Sequence, residues 1–244
     1  MKIPAKFNLA GKCVPKPSLG TRVKVMELSY LIAQIGERIV NCNHICAGVT
    51  HDQPKGLPPR GLYLEEGFGP SGVIVCGMNP GNAPPHEIEF FKSKGTSYSS
   101  LYECWKSRFM NIPYFSRMRK LVRALGYDGP ILWTNVAKCE KRDDSERMSF
   151  DLYPHTFRFC ASTYMAEEIK NVPDSWLLMA NGKDAFVALS YLFPNRKLIG
   201  VPHSTGAYPQ FSKLWLNEKL HPEAVEGIES YFSKEPKGAF WIRR

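Results

Sequence analysis

Four strand-like runs alternating with helical patterns constrain this chain most. The runs are Val73–Cys76, the start of "PILWTNVAKC" (130–139), "SWLLMA" (175–180) and the start of "KLIGVPHSTG" (197–206). Short runs of β-branched and aromatic residues that end in turn residues read as buried strands. Between them, "YFSRMRKLVRALGY" sets Phe115, Met118, Leu121, Val122 and Leu125 on one side of a helix and Arg117, Arg119, Lys120 and Arg123 largely on the other. "HTFRFCASTYMAEEIKNV" and "GKDAFVALSYLF" read as further helices. "ELSYLIAQIGERIVNC" reads as an earlier one, with Leu28, Leu31, Ile32, Ile35 and Ile39 at helical spacing. The segment from His51 to Pro70, rich in Gly and Pro, reads as a loop, and Pro84 to Tyr114 as irregular and aromatic. Strands alternating with helices predict an α/β fold: a single domain with a central four-stranded parallel sheet, helices on both faces, and ligand chemistry at the carboxyl ends of the strands.

A chain of 244 residues fits one such domain. We expect it to span residues 27–244, preceded by a basic N-terminal arm over residues 1–26. There Lys2, Lys6, Lys12, Lys16, Arg22 and Lys24 meet no acidic residue, so the arm reads either as a phosphate-contacting segment or as a solvated tail. The net charge of +9 favours polyanionic partners, nucleic acid first. No apolar run has the length of a membrane span, and the first twenty residues lack the continuous apolar stretch of a signal peptide. The expectation is therefore a cytoplasmic monomer, nucleoid-associated if prokaryotic, without membrane contact. Seven cysteines in such a setting are expected to be reduced. Cys76 and Cys104 sit in apolar or aromatic surroundings and read as small core residues. Cys13, Cys42, Cys46, Cys139 and Cys160 remain for metal binding or burial.

In a parallel sheet, three polar turns converge on one edge: "GMNPG" after the first strand, "TN" in "WTNVAKC", and "PHSTG" after the fourth. Asn79, Asn135 and His203 would then share a pocket. None is an ordinary nucleophile with a base beside it, which argues against acyl transfer. Two amides and an imidazole are suited to reading the edge of a planar base and to stabilising charge that develops on it. Each also has a plain structural reading: Asn79 as a turn residue, Asn135 as a strand cap, His203 as a loop histidine.

In this order and context, "GMNPG", "WTNVAKC" and "PHSTG" resemble the uracil-DNA glycosylase superfamily, from about Glu27 to Leu216. The first motif has the Asn-containing form of the mismatch-specific and single-strand-selective members, while "TNVAKC…C…YM…EEI" is similar to the iron–sulfur branch. The third motif, "PHST", departs from the His-Pro-Ser of many relatives. The resemblance implies that Asn79 positions the attacking water and that His203 donates to the uracil O2. It gives Gly77, Met78 and Asn135 to the base pocket, with an aromatic ring after the first motif stacking on the base; among Phe90, Phe91 and Tyr98, Phe91 is the choice. Tyr208 would be the wedge that fills the gap left by the flipped nucleotide. Cys42, Cys46, Cys139 and Cys160 would hold a [4Fe–4S] cluster, with Cys13 able to replace Cys42 or Cys46. Zinc, or no metal, are the alternatives.

The function expected from the resemblance is hydrolysis of the N-glycosidic bond of uracil, or of a related deaminated or oxidised base, in DNA. A non-catalytic nucleic-acid-binding module using the same pocket and charge is the alternative. A phosphate-cradling nucleotide enzyme ranks lower, because no Lys and Ser/Thr follow the glycine turn.

Overall fold

The computed structural model describes residues 19–144, 147–233 and 238–242, with side chains from Met26 onward. Helix α1 (Leu19–Val40) leads through the short strand β1 (Val49–Thr50) to β2 (Tyr63–Glu65) and β3 (Val73–Gly77). Helices α2 (Pro85–Lys94), α3 (Tyr98–Cys104) and α4 (Pro113–Ala124) follow, then β4 (Ile131–Asn135) and β5 (Glu140–Lys141). Next come α5 (Pro154–Cys160), α6 (Ala166–Lys170), β6 (Leu177–Asn181), α7 (Lys183–Leu192) and β7 (Leu198–Val201). The chain ends in α8 (Tyr208–Ser212), a two-strand ribbon of β8 (Trp215–Leu216) and β9 (Lys219–Leu220), α9 (Pro222–Ser233) and β10 (Ala239–Trp241).

The main sheet has six strands in the order β10-β7-β6-β3-β4-β2. Its four central strands are the four expected ones, and they are parallel. The expected four-stranded parallel sheet is thus the centre of a mixed one: β10 adds in parallel to β7, and β2 closes the other edge antiparallel to β4. Strand β2 lies in the segment read as a loop. Three residues between glycines and prolines are too short to show a period, and it is pairing that makes the strand, Tyr63 opposite Trp133. Glu65 anchors it further, accepting from Trp133 Nε1 at 2.9 Å and pairing with Arg119.

Because β3 is inside the sheet, its residues alternate between two cores. Ile74 and Cys76 face a layer built with Ile32, Ile35 and Ile39 of α1, Phe157 of α5, Ile169 of α6 and Leu189 of α7. Val73 and Val75 face the other, with Phe90 and Phe91 of α2, Leu101 of α3, Leu121 and Val122 of α4, Phe211 of α8 and Ile228 of α9. Helices therefore cover both faces. The stretch read as irregular contains α2, which starts with Pro85 in its first turn. It also contains α3, opened by a reciprocal cap between Ser97 and Ser100. A single turn of π-helix, Trp105–Phe109, continues α3, and another, Ala161–Met165, joins α5 to α6. Helix α1 begins at Leu19, inside the segment expected to be an arm; residues 1–18, Cys13 included, lie outside the described residues.

Ile74 has no exposed surface, so Ile74→Ala should cost about 2–5 kcal/mol in urea denaturation. Ile45 is 86% exposed, and Ile45→Ala should change stability by less than about 0.5 kcal/mol.

Candidate active site

The carboxyl ends of the central strands open on a cleft of about 1310 Å3, lined by Met78 and Asn79 after β3, Asn135 of β4, Asn181 of β6 and His203 after β7. Asn79, Asn135 and His203 are thus brought together from three separate segments. Asn79 donates its Nδ2 to the Pro80 carbonyl at 2.8 Å, which leaves Oδ1 as the atom able to accept from a ligand or water.

Asn135 is the last residue of β4, and its amide lies between two glycines. A Cβ on Gly61 would stand 2.2 Å from its Nδ2, and one on Gly77 would stand 2.6 Å from its Oδ1. Gly61 also has φ +93, so both space and backbone require glycine there. Gly77 flanks Asn135 in this way, and Met78 lines the cleft itself.

The ring of His203 is fixed from one side. Its Nδ1 accepts the backbone N–H of Gly206 at 2.8 Å and that of Thr205 at 3.3 Å. An acceptor Nδ1 puts the proton of the neutral ring on Nε2, leaving that N–H as a donor. Burial lowers the pKa of His203 below the ordinary 6.5, with Asp184 opposing it. Gly182, at φ +108 before α7, lets the ring approach: a Cβ there would meet the ring carbon Cδ2 at 3.2 Å.

Residues beyond the three motifs hold these groups in place. Asn181 accepts the Ser204 N–H at 2.8 Å and donates to the Ser204 hydroxyl at 3.0 Å, fastening the third motif to β6. The Tyr114 hydroxyl would stand 2.7 Å from a Cβ on Gly77, and burial raises its pKa with Asn181 opposing. Asn181 carries the signal that singled out Asn135, an amide at the carboxyl end of a strand. On the other side, the buried Arg60 pairs with Glu87 at 3.0 Å and Glu140 at 2.8 Å, and it donates to the Gly81 carbonyl of the first motif at 2.7 Å. Two buried donors, Arg60 Nη1 and Trp105 Nε1, have no protein partner, and both residues line the cleft. An acceptor from water or a ligand must meet them.

Phe91 is not in the cleft. It is 2% exposed, and both it and Phe90 belong to the core beneath α2, while Tyr98 packs against Gly36 of α1. The aromatic lining comes instead from Tyr63, Trp105, Phe109, Tyr114 and Phe115. The geometry therefore corrects the choice of Phe91: helix α2 turns that ring toward the sheet. Tyr208 begins α8 at the surface, next to the lining residue Ala207, with its ring 3.6 Å from the Arg117 guanidinium. Exposed Arg147, Lys183 and Lys213 also line the cleft.

The four cysteines gather on the far side of β4. Cys46, Cys139 and Cys160 are buried in one core layer, and Cys42 packs against it. Cys46 and Cys160 act on each other, raising the Cys46 thiol and lowering that of Cys160. Cys139 and Cys42 are close enough for their charge to act on Cys46. His51 Nδ1 lies 3.5 Å from the Cys139 sulfur. Among the described residues, no three His, Cys, Asp or Glu side chains form a group that could hold a metal ion.

Comparison of the chain with protein-family models, curated proteins and solved structures finds no significant match.

A pH dependence follows from His203. Unfolded, it titrates near 6.5; folded, burial keeps it neutral to lower pH, so the unfolded chain binds more protons in that interval. Stability should be lost as pH falls from 6.5 through the folded pKa. Chemical denaturation of wild type and His203→Gln across pH checks this: the difference between the curves should be flat above about pH 6.5 and open below it.

Proposed function

We propose that this chain is a DNA glycosylase that removes uracil, or a related deaminated or oxidised base, by hydrolysing its N-glycosidic bond. The observation that carries the reading is the meeting of Asn79, Asn135 and His203 in one cleft, with the His203 proton held on Nε2. The three motifs have the order found in the uracil-DNA glycosylase superfamily, and the basic residues along the cleft suit a phosphate backbone.

In this reading a flipped nucleotide enters the cleft, and Asn135 pairs with the edge of its base. The bond from C1′ to the base nitrogen breaks first, and its electron pair leaves with the base. Negative charge then builds on O2, where the neutral His203 donates from Nε2. Water adds to the electron-poor C1′, oriented by Asn79 Oδ1, and its proton passes to solvent. An amide is a poor base, so stabilising the departing anion carries most of the catalysis. Tyr114, Phe115 and Phe109 are the rings available to stack on the base, with Tyr208 as a surface wedge.

Four thiols are the donor set of a [4Fe–4S] cluster and of tetrahedral zinc. The cluster is the reading preferred here because "TNVAKC…C…YM…EEI" is similar to the iron–sulfur branch. Cys42, Cys46, Cys139 and Cys160 would hold it, and its role would be structural, because glycosidic hydrolysis needs no redox step.

Incubation with oligonucleotides carrying uracil, hypoxanthine or a G·T mismatch, followed by alkaline cleavage, tests the function. Asn79→Ala and His203→Ala should each slow single-turnover excision by ~10²-fold or more while leaving DNA affinity nearly unchanged. Binding without excision by the wild type would favour the non-catalytic module. For the cofactor, protein purified anaerobically should be brown with about four irons per chain, and Cys139→Ser or Cys160→Ser should bleach it. Colourless protein with stoichiometric zinc would refute the cluster and leave the glycosylase reading standing.

A further inference from the structure

Lys138 is the most deeply buried cation among the described residues, at 1% exposure, and it does not line the cleft. Its ammonium donates to Thr134 Oγ1 at 2.7 Å and to the Asn135 carbonyl at 2.9 Å, and it pairs with Glu168 at 2.7 Å. All three donors are therefore used. Glu168 has no exposed surface and also accepts from the Thr134 hydroxyl at 2.6 Å. A pair so completely removed from water gives back most of its attraction as desolvation, so net stability is a weak reason for its presence.

The backbone of the same residue reaches another part of the site. The Lys138 carbonyl accepts the Arg60 N–H at 2.6 Å, next to the Gly61 that presses on the Asn135 amide. Between Lys138 and Asn135 the chain is tied to the first motif, Val136 N–H to the Gly77 carbonyl at 3.0 Å and Ala137 N–H to the Met78 carbonyl at 2.8 Å.

We propose that Lys138 is a positioning residue for Asn135: its ammonium fixes the carbonyl of the base-reading residue, and its own carbonyl anchors the Arg60–Gly61 segment that cradles that residue's amide. Glu168 and Thr134 hold the ammonium in place. The inference rests on the glycosylase reading in that Asn135 is taken to contact a base.

The test removes the ion pair without leaving a lone charge. Lys138→Met with Glu168→Leu and Thr134→Val replaces the network by apolar side chains, a change that buried pairs commonly tolerate. On a single-stranded oligonucleotide with one uracil, this variant should lose roughly tenfold in kcat/KM, the worth of a charge-assisted hydrogen bond. Asn135→Ala should then cost the variant much less than it costs wild type, because the two changes act on one element. Equal costs in the two backgrounds overturn the proposal. If the triple variant does not fold, Lys138→Arg, which keeps the charge and alters the donor geometry, is read in the same cycle with the same two outcomes. If wild type leaves uracil in place, the glycosylase reading falls and hydrogen exchange decides the positioning claim. Faster exchange of the Val136 and Ala137 amides in the variant, with β6 unchanged, supports it; unchanged exchange there overturns it.

Discussion

A strand whose five residues are all out of water, with a parallel neighbour on each side, can carry working polar atoms only where it ends, and β3 is such a strand. Both of its faces are covered by helices, so Val73 to Cys76 can offer only apolar or weakly polar side chains. Its neighbours β4, β6 and β7 are parallel to it, so their carboxyl ends fall on the same edge. Polar residues excluded from the body of the sheet accumulate there: Asn79, Asn135, Asn181 and His203 are the first such residues that the chain can present.

Holding those groups still is a separate problem, because they stand at strand ends and in loops. The chain solves it with two buried ionic clusters on either side of Asn135. Arg60, Glu87 and Glu140 tie the first motif to α2 and to the segment after β4. Lys138 and Glu168 tie the end of β4 to α6. Removing one partner from either cluster strands a charge out of water, at roughly 3–5 kcal/mol. The geometry around Asn135 is thus protected by the penalty for disturbing its supports more than by any net gain from forming them.

This division explains what was legible in the sequence. The four central strands stood out because a doubly buried strand must be apolar along its length, and the three motifs because polar residues directly follow such runs. The edge strands β2 and β10 depend on partners remote in sequence, and three residues carry no readable period. Helices α2 and α3 are short, and their caps were hidden in an aromatic stretch whose spacing is irregular. Phe91 lies outside the cleft for a geometric reason: spacing along the chain gives distance from the first motif but not the direction in which α2 turns the ring. Tyr114 comes into the cleft from α4, and Gly61 from the segment before β2, so neither is near any motif in sequence. Asn181 was the exception. It ends a strand that the sequence did reveal, and the logic applied to Asn135 applies to it equally.

The charges in the cleft bear on how the proposed reaction would proceed. Among the described residues, the carboxylates lining it are Glu87 and Asp184. Glu87 is engaged by Arg60, and burial raises its pKa, with Arg60 opposing, while Asp184 is paired with Arg147. Neither is free to act as a base beside Asn79. In the proposed reaction a water held by Asn79 alone would be a weak nucleophile, reacting only once the sugar carbon had become strongly electron-poor, and the burden would shift to the departing base and to the groups that meet its charge. His203 suits that task because it is neutral: its Nδ1 is occupied by two backbone amides, so the ring offers a donor without competing for a proton from solvent. Burial, which favours the neutral ring, also lowers the local dielectric around its Nε2–H, so one physical cause both selects the protonation state and would strengthen the hydrogen bond proposed for it.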